Sequence, residues 1–192
     1  MKKINIIAEG GIMLALATAL SFIRIVQFPW GGEVTLMSML PIMIFAIRHG
    51  AAKGGVVSFL FSLIRFGQGI LIDGLFAWGL TPGLLIACIM LDYILAFTVV
   101  GIAGIFGKTS LPRIISGISL AVLLRFVLHV FSGVFVFSAA GEIWEGLNIE
   151  NPWLYSMLYN GLFLVPELVI TLVGAIVLFA IPSVRKMMFA DS

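Results

Sequence analysis

Residues 155–182 read YSMLYNGLFLVPELVITLVGAIVLFAIP, and Glu167 is the only charged side chain among them. About 20 apolar residues in a helix cross the hydrocarbon core of a bilayer, so this stretch exceeds one perpendicular crossing and predicts a long or tilted membrane helix. Strands of a membrane barrel alternate apolar and polar side chains over about ten positions. No such alternation is present here.

The rest of the chain has the same character. Hydrophobic residues make up 61% and charged residues 10% of the 192 positions, with a mean hydropathy of +1.20. A water-soluble protein would expose far more apolar surface than this composition lets it bury. Polar residues and Gly/Pro clusters divide the chain into six apolar segments, approximately 4–27, 34–48, 54–72, 84–106, 112–138 and 155–182. Six spans leave only short connections, so the fold expected is a single all-α integral membrane domain over residues 1–192, with six transmembrane helices. Lys2, Lys3 and the small residues at 15–19 look like a secretory leader. The apolar segments continue to the C-terminus, however, and the first one is read as a retained helix.

Charge sets the expected orientation. Lys2, Lys3, Arg48, Lys53, Lys108, Arg113, Arg185 and Lys186 fall on one side of a six-span arrangement, which the positive-inside rule makes cytoplasmic, together with both termini. The opposite loops carry Glu33, Asp73, Glu142, Glu145 and Glu150. Trp30, Trp78, Trp144 and Trp153 map to those same loops or their edges, where they serve as interfacial belt residues or as a lid over an external site. A formal net charge of +2 gives no reason to expect nucleic acid. Cys88 is the single cysteine, which excludes an internal disulfide or a cysteine metal site. Neither a resident metal nor a cofactor is expected.

Ionisable groups at hydrocarbon depth are costly and are functional by default. Asp92, Arg125, His129 and Glu167 are such groups, joined by Tyr93 and Asn160. A helical rise of 1.5 Å per residue, counted from the external ends, puts Asp92 at ~12 Å, His129 at ~13 Å and Asn160 at ~7 Å. On the same count Arg125 lies at ~20 Å and Glu167 at ~18 Å, a depth at which they could neutralise each other. Arg125, His129, Ser132, Gly133 and Val136 recur at helical spacing on one face, where Gly133 opens space. Pro166 frees a backbone carbonyl and tends to kink the last helix below Tyr155 and Asn160. Tyr93, Phe137 and Phe61 offer π faces to a delocalised cation, Asp92 offers it a counter-charge, and Asn160 offers a donor and an acceptor to a heterocycle edge. Such a set fits a flat, positively charged heterocycle. The competing reading is a polar clamp that holds the bundle together and binds nothing.

The chain also resembles, along nearly its whole length, the thiamin-specific S-components of energy-coupling factor (ECF) transporters. Four stretches carry the likeness: Val34-Thr35-Leu36-Met37-Ser38-Met39-Leu40-Pro41, Leu91-Asp92-Tyr93-Ile94-Leu95-Ala96-Phe97, Leu124 to His129 with Ser132-Gly133-Val134, and Tyr155-Ser156 through Tyr159-Asn160-Gly161. The resemblance implies a six-helix subunit of the cell membrane that binds the vitamin from outside. It also implies partners, namely a transmembrane coupling protein and two cytosolic ATPases that drive release inside. Asp92 would then be the acidic ligand contact, with Tyr93 beside it and His129 against the vitamin rings. Tyr155 and Asn160 would close the pocket, Arg125 would support it, and Trp30 would lie in a gating first external loop. Ala15 and Ala19 would form the small-residue face that docks on the coupling protein, since small side chains let helices approach closely in lipid. Two positions depart from the pattern: Phe61 and Phe137 stand where tryptophans are expected. The segment from Gly67 to Pro82 is longer than the pattern as well.

No Gly-x-x-x-x-Gly-Lys-[Ser/Thr] phosphate loop occurs, so ATP would be bound only by partner subunits. An enzyme is not expected, because the chain carries no serine elbow, no His-Glu-x-x-His helix and no carboxylate-rich metal set. The alternative from another class is a stand-alone ion-coupled carrier in which Asp92, His129 and Glu167 relay protons.

Overall fold

The computed structural model describes residues 2–28, 31–138, 141–144 and 146–189. Helix α1 (Lys2–Ser21) leads into an antiparallel hairpin of β1 (Arg24–Gln27) and β2 (Glu33–Thr35), followed by α2 (Leu40–His49) and α3 (Ala51–Leu71). A short 3-10 turn at Leu75–Ala77 precedes α4 (Pro82–Gly104). Next come α5 (Leu111–Phe135), a second hairpin of β3 (Gly141–Trp144) and β4 (Leu147–Ile149), the long α6 (Pro152–Ala180), and α7 (Pro182–Phe189).

Helix starts follow local chemistry. Pro41, Pro82, Pro112 and Pro152 occupy the first turns of α2, α4, α5 and α6, where the missing N–H costs no hydrogen bond. Asn151 caps α6 by accepting from the Trp153 and Leu154 amides at 2.9 and 3.2 Å. Between α2 and α3 the chain reverses at Gly50, whose φ of +91° lies in the region that favours glycine.

Among the described residues four helices, α3 to α6, are long and apolar enough to cross a membrane, while α1 and α2 are shorter apolar helices. Val165, Val169, Val173 and Val177 of α6 and Leu123, Val127 and Phe131 of α5 face outward, as side chains solvated by lipid do. Helix α2 is buried on every face, from Leu40 through Ile47 apart from Ile44, the pattern of a helix enclosed by others. Close approach around it depends on glycine. A Cβ on Gly101 of α4 would collide with the backbone of Gly54 and Gly55 in α3, and one on Gly117 of α5 would collide with the Ala103 carbonyl. These are the small-residue contacts expected of helices packed in lipid.

Each of the six apolar segments contains a helix, with three corrections. The segment 4–27 is helical only to Ser21, because residues 24–27 leave the helix to pair with 33–35, matching Val26 to Val34 and Gln27 to Glu33. Arg24 is thereby placed beside carboxylates and not inside a span. The segment 34–48 begins as the end of that hairpin, turns at Met37 with φ +56°, and becomes helical only at Leu40. The 152–180 helix starts three residues earlier than read, at the Pro152 and Asn151 cap.

Candidate functional site

A cavity of about 410 Å³ lies among α3 to α6 beneath the first hairpin, within the size range of small-molecule sites. Helix α4 is π-helical from Ile89 to Leu95, a local widening that often marks functional positions. The consecutive residues Asp92 and Tyr93 both reach the cavity wall from this widened turn. Arg125, His129 and Gly133 line it from α5, Phe137 from just beyond that helix, and Tyr155 and Asn160 from α6. Eight of the residues picked out by the sequence therefore meet around one space.

The carboxylate of Asp92 is held on both oxygens. Its Oδ1 lies 2.8 Å from His129 Nδ1. The Ser132 hydroxyl donates to Oδ2, which the Cys88 thiol also approaches at 3.4 Å. An imidazole that donates Nδ1–H to the carboxylate keeps a lone pair on Nε2, and Nε2 is buried with no hydrogen-bond partner among the described residues. Ser, His and Asp thus meet, yet the serine hydroxyl bonds the carboxylate and not the imidazole. The imidazole is not set against the hydroxyl, so the arrangement holds charge and does not match the serine–histidine pairing of an activated nucleophile. Among the described residues no cluster of His, Cys, Asp and Glu suits a metal ion.

Asn160 differs from expectation in one respect. Its amide NH₂ donates to the Ser156 carbonyl at 2.8 Å, the Ser156 hydroxyl at 3.1 Å and the His129 carbonyl at 3.3 Å. Only its carbonyl oxygen remains to meet a ligand. Gly133 serves packing as much as space, because a Cβ there would strike the Ser156 side chain. Ser156 in turn donates to the Val130 carbonyl at 2.9 Å.

Aromatic rings complete the walls. Tyr155 stacks on Tyr159 with centroids 6.2 Å apart, Phe163 meets Tyr159 and His129 edge-on, and Phe137 tilts against Trp78 at 6.0 Å. Tyr159 and Phe163 were not among the site residues chosen from the sequence, and Trp78 was marked there only as a belt or lid residue. Tyr159 and Phe163 could have been chosen, since Tyr155, Tyr159 and Phe163 recur every four residues on one face of α6.

Phe61 is a correction. It is fully buried in the core, edge-on to Phe97 at 5.7 Å, one turn deeper on α3 than Arg65, which is the residue of that helix lining the cavity. Trp30 lies outside the described residues. The Arg125–Glu167 pair is also not made. Arg125 is buried, stacks over Phe97 at 4.3 Å and donates Nη1–H to the Met39 sulfur at 3.1 Å. Glu167 instead accepts from the Thr35 amide and hydroxyl, each at 2.7 Å, and so secures the base of the first hairpin to α6. Similar depth had put the two charges at one level but not at one place.

The first hairpin is tied down by further charges. Arg24 pairs with Glu33 at 2.8 Å and with Asp73, and Arg65 pairs with Glu33 and with Gln68. Gln68 donates to Ser21 Oγ at 2.8 Å. On α1, Ala15 and Ala19 are exposed, and Gly11 one turn earlier has open space around it. These three positions form an exposed stripe of small residues, none of which lines the cavity.

Comparison with known proteins agrees with this architecture. The profile of the family described as "Thiamine transporter protein" matches residues 7–188. The thiamine transporter ThiT of Bacillus subtilis (strain 168) is 30% identical over 192 residues, covering 93% of this chain and 92% of the relative. A solved structure of ThiT from Listeria monocytogenes shares the fold, with a TM-score of 0.69 at 24% identity over 96% of this chain and 98% of that one. A profile match from Ile7 to Met188 leaves almost nothing of the chain outside it, and this multi-pass membrane protein belongs to the thiamine transporter family, a family of transporters and not of enzymes.

Proposed function

We propose that the protein is the thiamin-binding S-component of an ECF-type, ATP-driven importer, with six transmembrane helices and both termini in the cytoplasm. The observation that carries this reading is Asp92, a carboxylate fixed by His129 and Ser132 on the wall of an aromatic cavity. Thiamin joins a cationic thiazolium to an aminopyrimidine. Asp92 neutralises and orients the cation, His129 Nε2 accepts an amino N–H, and the Asn160 carbonyl takes a second donor. Tyr93, Tyr155 and Phe137 supply ring faces, a role in which cation–π attraction adds to apolar contact. Arg125 supports the wall through Phe97.

Ligand entry is assigned to the outside. Gly31, Asp73, Trp78 and Ser138 line the cavity from connecting segments, and those segments belong to the end of the chain path that carries Glu33, Glu142 and Glu150. Arg48, Lys53, Lys108, Arg113, Arg185 and Lys186 belong to the other end, which the positive-inside rule places in the cytoplasm. The exposed Ala15 and Ala19 of α1 are the docking face for a transmembrane coupling protein, which works with two cytosolic ATPases. A proton-relaying carrier is disfavoured by Glu167, whose carboxylate bonds Thr35 and not the Asp92–His129 pair.

Mass spectrometry of ligand retained by the purified protein tests the assignment. Thiamin in the extract supports it. A different molecule, bound more tightly than added thiamin, contradicts it.

A further inference from the structure

Asp73, at the end of α3, touches two segments far apart in sequence. Its carboxylate receives both terminal nitrogens of Arg24 in β1, the Nη2–Oδ2 distance being 3.3 Å. Its backbone carbonyl accepts the Trp78 indole N–H at 3.0 Å. The Arg24–Asp73 pair is sheltered, with side chains only 12% and 7% exposed, and a sheltered bidentate pair is both stronger and less screened than a surface one.

Trp78 in turn meets the first hairpin directly. A Cβ on Gly31, which has φ +88°, would lie 3.0 Å from the edge of the Trp78 indole. Residues 72–81 contain only the 3-10 turn at Leu75–Ala77, and the glycines on either side of Trp78, Gly74 and Gly79, have positive φ and no neighbour within 4 Å of an added Cβ. Leu75 is buried and anchors this strap. The indole packs against the buried cluster of Leu75, Cys88, Tyr93 and Val136 and against Phe137, and its N–H is held by Asp73. Gly31, Asp73 and Trp78 all line the cavity, whereas Arg24 does not.

We propose that Asp73 is a positioning residue that joins the first hairpin to the 72–81 strap, so that β1–β2 and Trp78 cover a bound ligand as one unit. The inference rests on the cavity being the thiamin site. A ligand beneath a joined cover leaves only when both parts move together. Once the joint is broken, either part opens alone, and release accelerates more than capture.

The test is release of labelled thiamin, chased with unlabelled thiamin, from the purified full chain and from Asp73→Asn, Asp73→Glu, Arg24→Gln and Trp78→Phe. Loss of a charge-assisted contact predicts about tenfold faster release for Asp73→Asn and Arg24→Gln, with association changed much less. Asp73→Glu restores slow release, and Trp78→Phe, which lacks the indole N–H, accelerates it. Parent-like release from Asp73→Asn overturns the proposal. So does fast release from Asp73→Asn with parent-like release from Arg24→Gln, because Asp73 would then act by touching the ligand itself. If Asp73→Asn does not fold, Arg24→Gln and Trp78→Phe decide by the same criterion. A parent protein that binds no thiamin overturns the functional reading and this inference together.

Discussion

His129 Nδ1 and Asp92 Oδ1 lie 2.8 Å apart and join α5 to the π-helical turn of α4 across the cavity wall. This contact fixes which imidazole nitrogen faces outward as an acceptor, and it holds the carboxylate in one orientation. His129→Ala removes both effects and a ring contact. Hydrogen bonds involving charged groups contribute roughly 1.5–3 kcal/mol, so thiamin affinity is expected to fall about ten- to a hundredfold. Calorimetric titration of the folded variant checks this, and an unchanged dissociation constant would place the histidine outside recognition.

Glu167 belongs to the scaffold. Its carboxylate accepts two hydrogen bonds from Thr35 at the base of the first hairpin, so Glu167→Gln weakens that tie without altering the cavity wall. Removing the charge is expected to lower stability by about 1–3 kcal/mol, read as an earlier thermal transition of the ligand-free protein in detergent. Lost binding at unchanged stability would instead make Glu167 part of recognition.

Ala15 and Ala19 offer a separation of functions. Tryptophan at both positions adds bulk to an exposed face of α1 that has no part in the cavity, and such bulk blocks close helix approach. Thiamin binding by the purified double variant should match the parent, while uptake by cells that hold the coupling protein and ATPases should be abolished. Loss of binding along with uptake would show that the face supports the fold.

Topology is tested by single cysteines in a Cys88→Ala background. Glu142→Cys, in the second hairpin, should react with an impermeant thiol reagent on intact cells, and Lys53→Cys, at the start of α3, should react only after permeabilisation. The reverse pattern would place the cavity mouth in the cytoplasm.

Hydropathy made the helical bundle legible, because each span must satisfy its own backbone in lipid and is therefore a continuous apolar run. The hairpins were not legible. Ile25 and Val26 are as apolar as the helix before them, and only pairing with residues 33–35 reveals the strand. Helical spacing brought Arg125, His129 and Gly133 onto one face, and the structure puts all three on the cavity. A ring face offered by the residue type, and a tryptophan position implied by resemblance, do not say which neighbour a side chain meets, and Phe61 packs against Phe97 behind Arg65 instead of lining the cavity. Asp73 and Trp78 depend on how a loop folds over a hairpin. That relation has no period and left no trace in the sequence beyond an acid and a tryptophan between two spans.

Recognition of a cationic vitamin by the Asp92 charge is measured by titrating purified Asp92→Asn with thiamin beside the parent. The substitution keeps the shape of the side chain and removes its charge. With about 1.5–3 kcal/mol attached to a hydrogen-bonded charge, the dissociation constant of the folded variant is expected to be about ten to a hundred times higher. Equal affinity in parent and variant would contradict recognition by charge and leave Asp92, His129 and Ser132 as a clamp that holds α4 to α5.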